Sequence, residues 1–233
     1  MLSLIQFPSA FGLPNLSTFC MKAEILLKMS GQPYVIEEEG NPPKGPKGKL
    51  PALRDGGQLI GDSAMIQSHL AAHYGVDFDA GLSARDRAIA HGMGRMCEER
   101  LYWCMVYSRW INEANWPKIR QIFFGSMPPV LRSLIPILAR RGVRANLQGH
   151  GLGRHSSSEI YAFGKADIDA LAALLGDAPF MMGTSPTSLD ATTYPIIANL
   201  QIAELPSPLR DAVAAHDNLK AYAARCRALW YPA

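Results

Sequence analysis

Ser17-Thr18-Phe19-Cys20 sets a hydroxyl and a thiol where an apolar helical run begins. A helix start gathers unpaired N–H groups and a positive partial charge, so a thiolate held there is stabilised. The Ser17 hydroxyl can donate a charge-assisted hydrogen bond to an incoming thiolate and so favour the ionised nucleophile. Alone, the tetrad reads better as a helix cap, worth about 1 kcal/mol. Cys20 is the second candidate nucleophile, but a buried free Cys behaves as a small hydrophobe, and reactivity needs exposure and a lowered pKa. With Ser at position 17 there is no C-x-x-C, which closes the route to intramolecular dithiol exchange.

Two further pieces follow. Lys49-Leu50-Pro51-Ala52-Leu53 reads as a strand entered through a proline. X-Pro bonds are cis in about 5–6% of folded cases, and a strand entry is one of the places where a cis bond recurs. A cis bond there offers the Leu50 backbone to an extended peptide as an added strand; the alternative is a trans edge-strand proline. Asp62-Ser63 then supplies a hydroxyl and free N–H groups for a carboxylate, and an acid for an ammonium, at a helix start. In isolation it is also an ordinary cap.

Other candidates carry less. Trp103, Tyr107 and Trp110 recur at i, i+4 and i+7, so they share a helix face. Core packing suits them, as does the wall of an apolar pocket for an electrophile. His69 and His73 lie four apart on one helix face with no acidic third ligand nearby in sequence, which favours packing over a metal. Pro186-Thr187-Ser188-Leu189-Asp190 is a capping box and is given no chemistry. No phosphate-binding loop, G-x-G-x-x-G or G-x-S-x-G is present.

These residues need elements to hold them. Leu2, Leu4, Ile5 and Phe7 form a short strand ending at Pro8, and a Gly- and Pro-rich loop leads to a helix closed by Gly31. Tyr34–Glu37 reads as a second strand, Gly40–Gly48 as irregular chain, and Leu50–Arg54 with Gln58–Ile60 as a hairpin turning on Asp55-Gly56-Gly57. Asp62 or Ser63 caps a helix from Ala64 to Tyr74. From Ser83 the pattern becomes helical throughout: 83–112, 117–144, 156–175, 188–203 and 217–229, with Gln148–Ser158, carrying His150 and His155, as a loop. The expected organisation is a small α/β domain over 1–75 and an all-helical domain over 83–233.

Apolar residues make up 48% of the 233 and charged residues 18%, ordinary values for a globular chain. A formal charge of +3 is too small to imply nucleic acid. Lys118, Arg120, Arg132, Arg140, Arg141, Arg144 and Arg154 do cluster in a stretch almost free of acids. Such a stripe suits a solvated helix face first, and acidic ligands or a membrane surface second. Cys20, Cys97, Cys104 and Cys226 show no zinc spacing, and with no signal peptide read at the N-terminus a reduced cytoplasmic setting is expected. The apolar stretch Val130–Ala139 is short and contains Pro136, too little to span a bilayer.

Taken in order, these motifs resemble the cytosolic glutathione transferases across almost the whole chain, and more narrowly the branch that includes the metaxins and the failed-axon-connections proteins. The residues that carry the resemblance are Pro14–Glu24, Gly48–Leu53, Asp62-Ser63, Gly153–Ser156 and Pro186–Asp190. It implies a thioredoxin-like α/β domain followed by an all-α domain. It also implies attack of the glutathione thiolate on a small apolar electrophile, with glutathione as co-substrate and no metal. By resemblance, Ser17 holds the thiol, Leu50 gives its backbone to the cysteinyl unit, Pro51 is the cis-proline, Asp62 and Ser63 hold the γ-glutamyl end, and Lys49 reaches the glycyl carboxylate. A homodimer is the usual assembly of the family. Metaxin-like members act in protein import, so a non-catalytic binding scaffold stands beside catalysis, as does a Cys20-dependent thiol-exchange or peroxide-reducing enzyme.

Overall fold

A computed structural model of the chain describes residues 1–40 and 45–232. Strand β1 (Leu2–Gln6) leads through a loop to α1 (Thr18–Ser30), then β2 (Tyr34–Glu38), β3 (Ala52–Asp55), β4 (Gln58–Gly61) and α2 (Ser63–Tyr74). The sheet order is β2-β1-β3-β4, with β1 parallel to β2 and antiparallel to β3. The β3–β4 hairpin turns on Gly56, whose φ of 55° suits a residue without Cβ. Of the Gly40–Gly48 segment, residues 41–44 lie outside the described residues, and 45–48 form bends and turns.

Eight α-helices follow among the described residues: α3 (Ala84–Met96), α4 (Tyr102–Trp110), α5 (Trp116–Phe124), α6 (Pro129–His150), α7 (Ser157–Leu175), α8 (Ser188–Leu200), α9 (Pro208–Ala214) and α10 (Asp217–Trp230). A π-turn, Cys97–Leu101, joins α3 to α4 in one continuous rod. Thus a four-stranded mixed sheet with its helices is followed by an all-helical portion. One apolar core runs through both. It includes Leu4, Leu26 and Leu53 around the sheet and α1, Leu189 and Ile197 on α8, and Leu171 on α7. Helix α1 is buried on nearly every side because it lies between the sheet and α8.

Three helical expectations need correction. The run expected over 117–144 is two helices. Pro128-Pro129 disfavours helical backbone in the residue before each proline, and the chain breaks after Phe124. The loop expected over Gln148–Ser158 is largely ordered: α6 runs through His150, Gly151 caps it at φ 98°, and Leu152–Arg154 form a 3-10 turn. A Cβ on Gly153 would stand 2.8 Å from the Leu147 backbone, so only glycine lets that turn pack on α6. Helix α9 was not foreseen, although Ser207 accepts from Arg210 N–H and Pro208 opens the first turn.

Pro136 lies inside α6 and gives no N–H to the Arg132 carbonyl one turn back. Arg120 on α5 donates to that carbonyl instead, at 3.4 Å. The break between α5 and α6 is therefore bridged by a side chain.

Candidate active site

Strand register brings the three sequence pieces to one end of the sheet. Ala52 pairs with Ile5 of β1 on one side and with Gly61 of β4 on the other. The end of β1, the start of β3 and the end of β4 therefore lie side by side. Leu50-Pro51 enters β3 there, and Asp62-Ser63 leaves β4 there into α2. Asp62 N–H donates to the Pro51 carbonyl at 3.4 Å. Ser17 is tied to the same end, because Asn15 donates to the Phe7 carbonyl at the end of β1 (2.5 Å) and its Oδ1 accepts from Ser17 N–H (2.9 Å).

Ser17 is the N-cap of α1. Its backbone is extended, and its Oγ accepts from Cys20 N–H at 3.3 Å. The hydroxyl proton is not used by that bond and remains to be donated. Ser17 is half-buried, while Thr18 and Cys20 behind it are buried.

The Leu50-Pro51 bond is cis. The β1–β3 ladder stops at Ala52, so Leu50 lies beyond it, and its N–H and C=O meet no backbone partner among the described residues. Lys49 is exposed beside it. Of Asp62 and Ser63, Asp62 is the cap: its Oδ1 accepts from Ala64 N–H at 2.8 Å. It does so at φ 86°, a region costly for a residue with a Cβ. Ser63 is buried, and its hydroxyl makes no hydrogen bond to a described residue.

Cys20 has the surroundings of a packing thiol. It is fully buried, and burial pushes its pKa up to about 12, although contacts with Ser17 and the Phe7 backbone pull the other way. A thiol in that state supplies almost no thiolate at neutral pH. Of the two roles expected for Cys20, packing and nucleophile, its burial favours packing.

The aromatic face of α4 turns mostly toward the helical layer. Trp103 stacks on His150 at 4.9 Å, and Tyr107 meets Tyr161 edge-on at 5.9 Å. Trp110 stacks on Phe123 at 5.7 Å, and Phe123 meets Phe7 at 6.4 Å. Trp110, through Phe123, connects that face to Phe7 at the end of β1, and Trp103, through Tyr102 at 5.6 Å, connects it to Phe19 at the start of α1. The aromatic bordering α1 is Tyr102, 4.8 Å from Phe19. A cleft of about 650 Å³ opens among Arg100, His150, Arg154, His155 and Phe163, but none of the candidate glutathione residues lines it. His69 binds Asp55 at 2.9 Å and stacks on His73, so this pair is a packing feature. Among the described residues, no group of three His, Cys, Asp or Glu is placed to hold a metal ion.

Sequence reasoning missed the residues that hold the Ser17 loop. Arg109 of α4 donates to the Leu16 carbonyl (3.1 Å) and to both the carbonyl (2.9 Å) and Oδ1 (2.8 Å) of Asn199 on α8. Asn199 in turn donates to the Asn15 carbonyl at 3.4 Å. Burial lowers the Arg109 pKa to about 10, still far above neutral, so a buried cation stands one residue from Ser17. A positive charge near a bound thiolate favours its ionised form. A second tie runs from Lys22 on α1 to Glu98 in the π-turn, at 2.7 Å with both side chains buried. No local pattern announces either tie, because the partners are 76 to 93 residues apart.

Comparison with known proteins bears on the family and the fold. The glutathione S-transferase N-terminal domain matches residues 18–115, and the glutathione S-transferase C-terminal domain matches residues 164–226. Failed axon connections of Drosophila melanogaster is 32% identical over 89% of this chain, which spans 52%, about half, of that protein's length. The isoprene-epoxide glutathione S-transferase of a Rhodococcus strain is 31% identical over 86% of this chain and 87% of its own. Metaxin-1 of Bos taurus is 29% identical over 99% of this chain and 75% of its own. A glutathione transferase family member from Pseudomonas fluorescens, solved with two glutathione molecules bound, superposes with a TM-score of 0.63 at 19% identity. That match covers 97% of this chain and 88% of the other, a likeness of fold. This chain belongs to the glutathione S-transferase family.

Proposed function

We propose that the chain binds glutathione across this end of the sheet and transfers its thiol to a small apolar electrophile. The observation that carries the reading is the convergence of Ser17, the Leu50 backbone and Ser63 on one sheet end. The cysteinyl unit would lie along Leu50 as an added strand, its thiol at the start of α1. The γ-glutamyl carboxylate would meet the start of α2 at Ser63, its ammonium would face Asp62, and Lys49 would reach the glycyl carboxylate. Ser17 would donate its hydroxyl proton to the sulfur while still accepting from Cys20 N–H.

The thiol proton leaves to solvent, and the thiolate attacks an electrophilic carbon. With an epoxide, the class named for the Rhodococcus relative, the C–S bond forms as the C–O bond breaks, and the alkoxide takes a proton from water. The protein's share is to favour the thiolate and hold it against the electrophile. Phe19 with Tyr102, and Phe7 with Phe123, are aromatic pairs at the site end for an apolar substrate. A homodimer working in the cytoplasm belongs to the same reading.

A binding scaffold without turnover is the second reading. It draws on two relatives, Failed axon connections and Metaxin-1, whose names state no chemical activity. Titration calorimetry with reduced glutathione, followed by conjugation of a small epoxide, separates the two. Ser63→Ala is expected to weaken binding about fivefold to tenfold, the loss of one hydrogen bond of ~1–1.5 kcal/mol. Ser17→Ala should keep binding but slow conjugation by about tenfold to a hundredfold, the loss of a ~1.5–3 kcal/mol bond to an ionised group. No heat with glutathione would overturn the transferase reading; binding without conjugation would select the scaffold.

A further inference from the structure

Helix α6 leaves an apolar face uncovered. Val130, Leu131, Leu134, Ile137 and Leu138 are 47 to 70% exposed, and at helical spacing they form one stripe over the first turns. Pro136 and Leu147, the buried residues of the helix, lie on the opposite side, so the stripe is the outward face. Arg141 lies on the same face toward the C-terminus and Arg144 at its border, both exposed, whereas Arg132, one turn before Pro136, is exposed on the side away from the stripe. Arg140 is not part of this set, since it holds the carbonyls of Trp110 and Ile111. Among the described residues, no carboxylate pairs with Arg132, Arg141 or Arg144. Residues 114–158 contain seven Arg or Lys and no Asp or Glu.

We propose that the N-terminal half of α6 docks on an anionic lipid surface, its apolar stripe below the headgroups and its arginines at the level of the phosphates. A helix with one apolar face and unpaired basic residues on its border has the character of one that lies in a membrane interface. No described helix is long and apolar enough to cross a membrane, so docking along the surface is the geometry available to α6. Charge decides against a second copy as the occupant. An antiparallel two-fold contact centred on Leu134 and Ile137 would seat Arg141 over the other copy's Val130, with no acidic residue in the segment to receive it.

Co-sedimentation of the full chain with vesicles tests this. Binding is expected to vesicles of phosphatidylcholine mixed with phosphatidylserine, weaker at high salt, and weak or absent with phosphatidylcholine alone. The pairs Leu134→Glu with Ile137→Glu, and Arg141→Glu with Arg144→Glu, should each weaken it by about tenfold or more. All four positions are exposed, and a circular-dichroism melt checks folding; Leu134→Ser with Ile137→Ser serves if the first pair fails to fold. No binding to the anionic vesicles, equal binding to neutral ones, or unchanged binding by the variants would overturn the proposal. So would a concentration-dependent dimer in sedimentation velocity that Leu134→Glu with Ile137→Glu abolishes, which would make the stripe a self-association face.

Discussion

Replacing Arg109 with Met tests how the helical portion holds the Ser17 loop. The guanidinium donates to three oxygens, on Leu16 and Asn199. Each hydrogen bond to a charged group contributes roughly 1.5–3 kcal/mol, so three amount to about 4.5–9 kcal/mol. Against this stands the cost of burying the charge. The fall in pKa from 12.5 to about 10 converts to roughly 3 kcal/mol at ~1.4 kcal/mol per unit. The net loss for Arg109→Met is therefore about 2–6 kcal/mol, and methionine fills similar volume without leaving a cavity. At ~2–4 °C per kcal/mol for a chain of this size, the melting temperature should fall by about 4 °C or more. Urea unfolding and a thermal melt measure the loss, and glutathione titration of the folded variant reports whether the loop is still placed. Arg109→Lys should recover only part of it, because one ammonium cannot reproduce the planar fork. A change for Arg109→Met within ~0.5 kcal/mol, the range of an ordinary surface substitution, would refute the clamp.

Lys22→Met strands Glu98 as a buried carboxylate, held only by Arg95 from a half-exposed position; a loss of about 3–5 kcal/mol in urea unfolding is expected, and Lys22→Met with Glu98→Leu should recover much of it. All four cysteines are buried with raised pKa, so a thiol-specific chromogenic reagent at neutral pH should label none of them quickly in the native protein and all four in denaturant. Asp55 accepts from His69 and Tyr74, which hold its carboxyl below the ordinary value. A lowered carboxylate contributes stability that is present above the unfolded-state pKa of about 4 and is lost as pH falls through the folded one. Asp55→Asn should therefore flatten the decline of the urea midpoint in acid and leave its neutral-pH slope unchanged.

The sequence was most legible where one or two neighbouring residues settle the structure. Ser17, Ser83 and Ser156 cap helices because each side chain meets an N–H three residues on, a contact needing no distant partner. Asp55-Gly56-Gly57 set the hairpin turn, and Pro51 entered its strand as expected. The break at Pro128-Pro129 is equally local, but the apolar spacing on either side of it resembles one helix. The ties from Arg109 to Leu16 and Asn199, and from Lys22 to Glu98, were invisible for a different reason: they join segments that meet only after α1 is set against α8 and the π-turn. The aromatic spacing on α4 marked a shared face correctly, but spacing does not say which neighbour that face meets. Cys20 differs, since Phe19 and the apolar positions that follow it already point to a helix face turned partly inward, and Cys20 is fully buried there.

In the proposed function, Ser17 and the start of α1 favour the thiolate of bound glutathione. The direct test is ultraviolet titration of thiolate absorbance in the glutathione complex, for the natural chain and for Ser17→Ala at saturating ligand. A titration midpoint well below that of free glutathione is expected, moving back toward it in Ser17→Ala. A midpoint equal to that of free glutathione, or one that Ser17→Ala leaves in place, would contradict it.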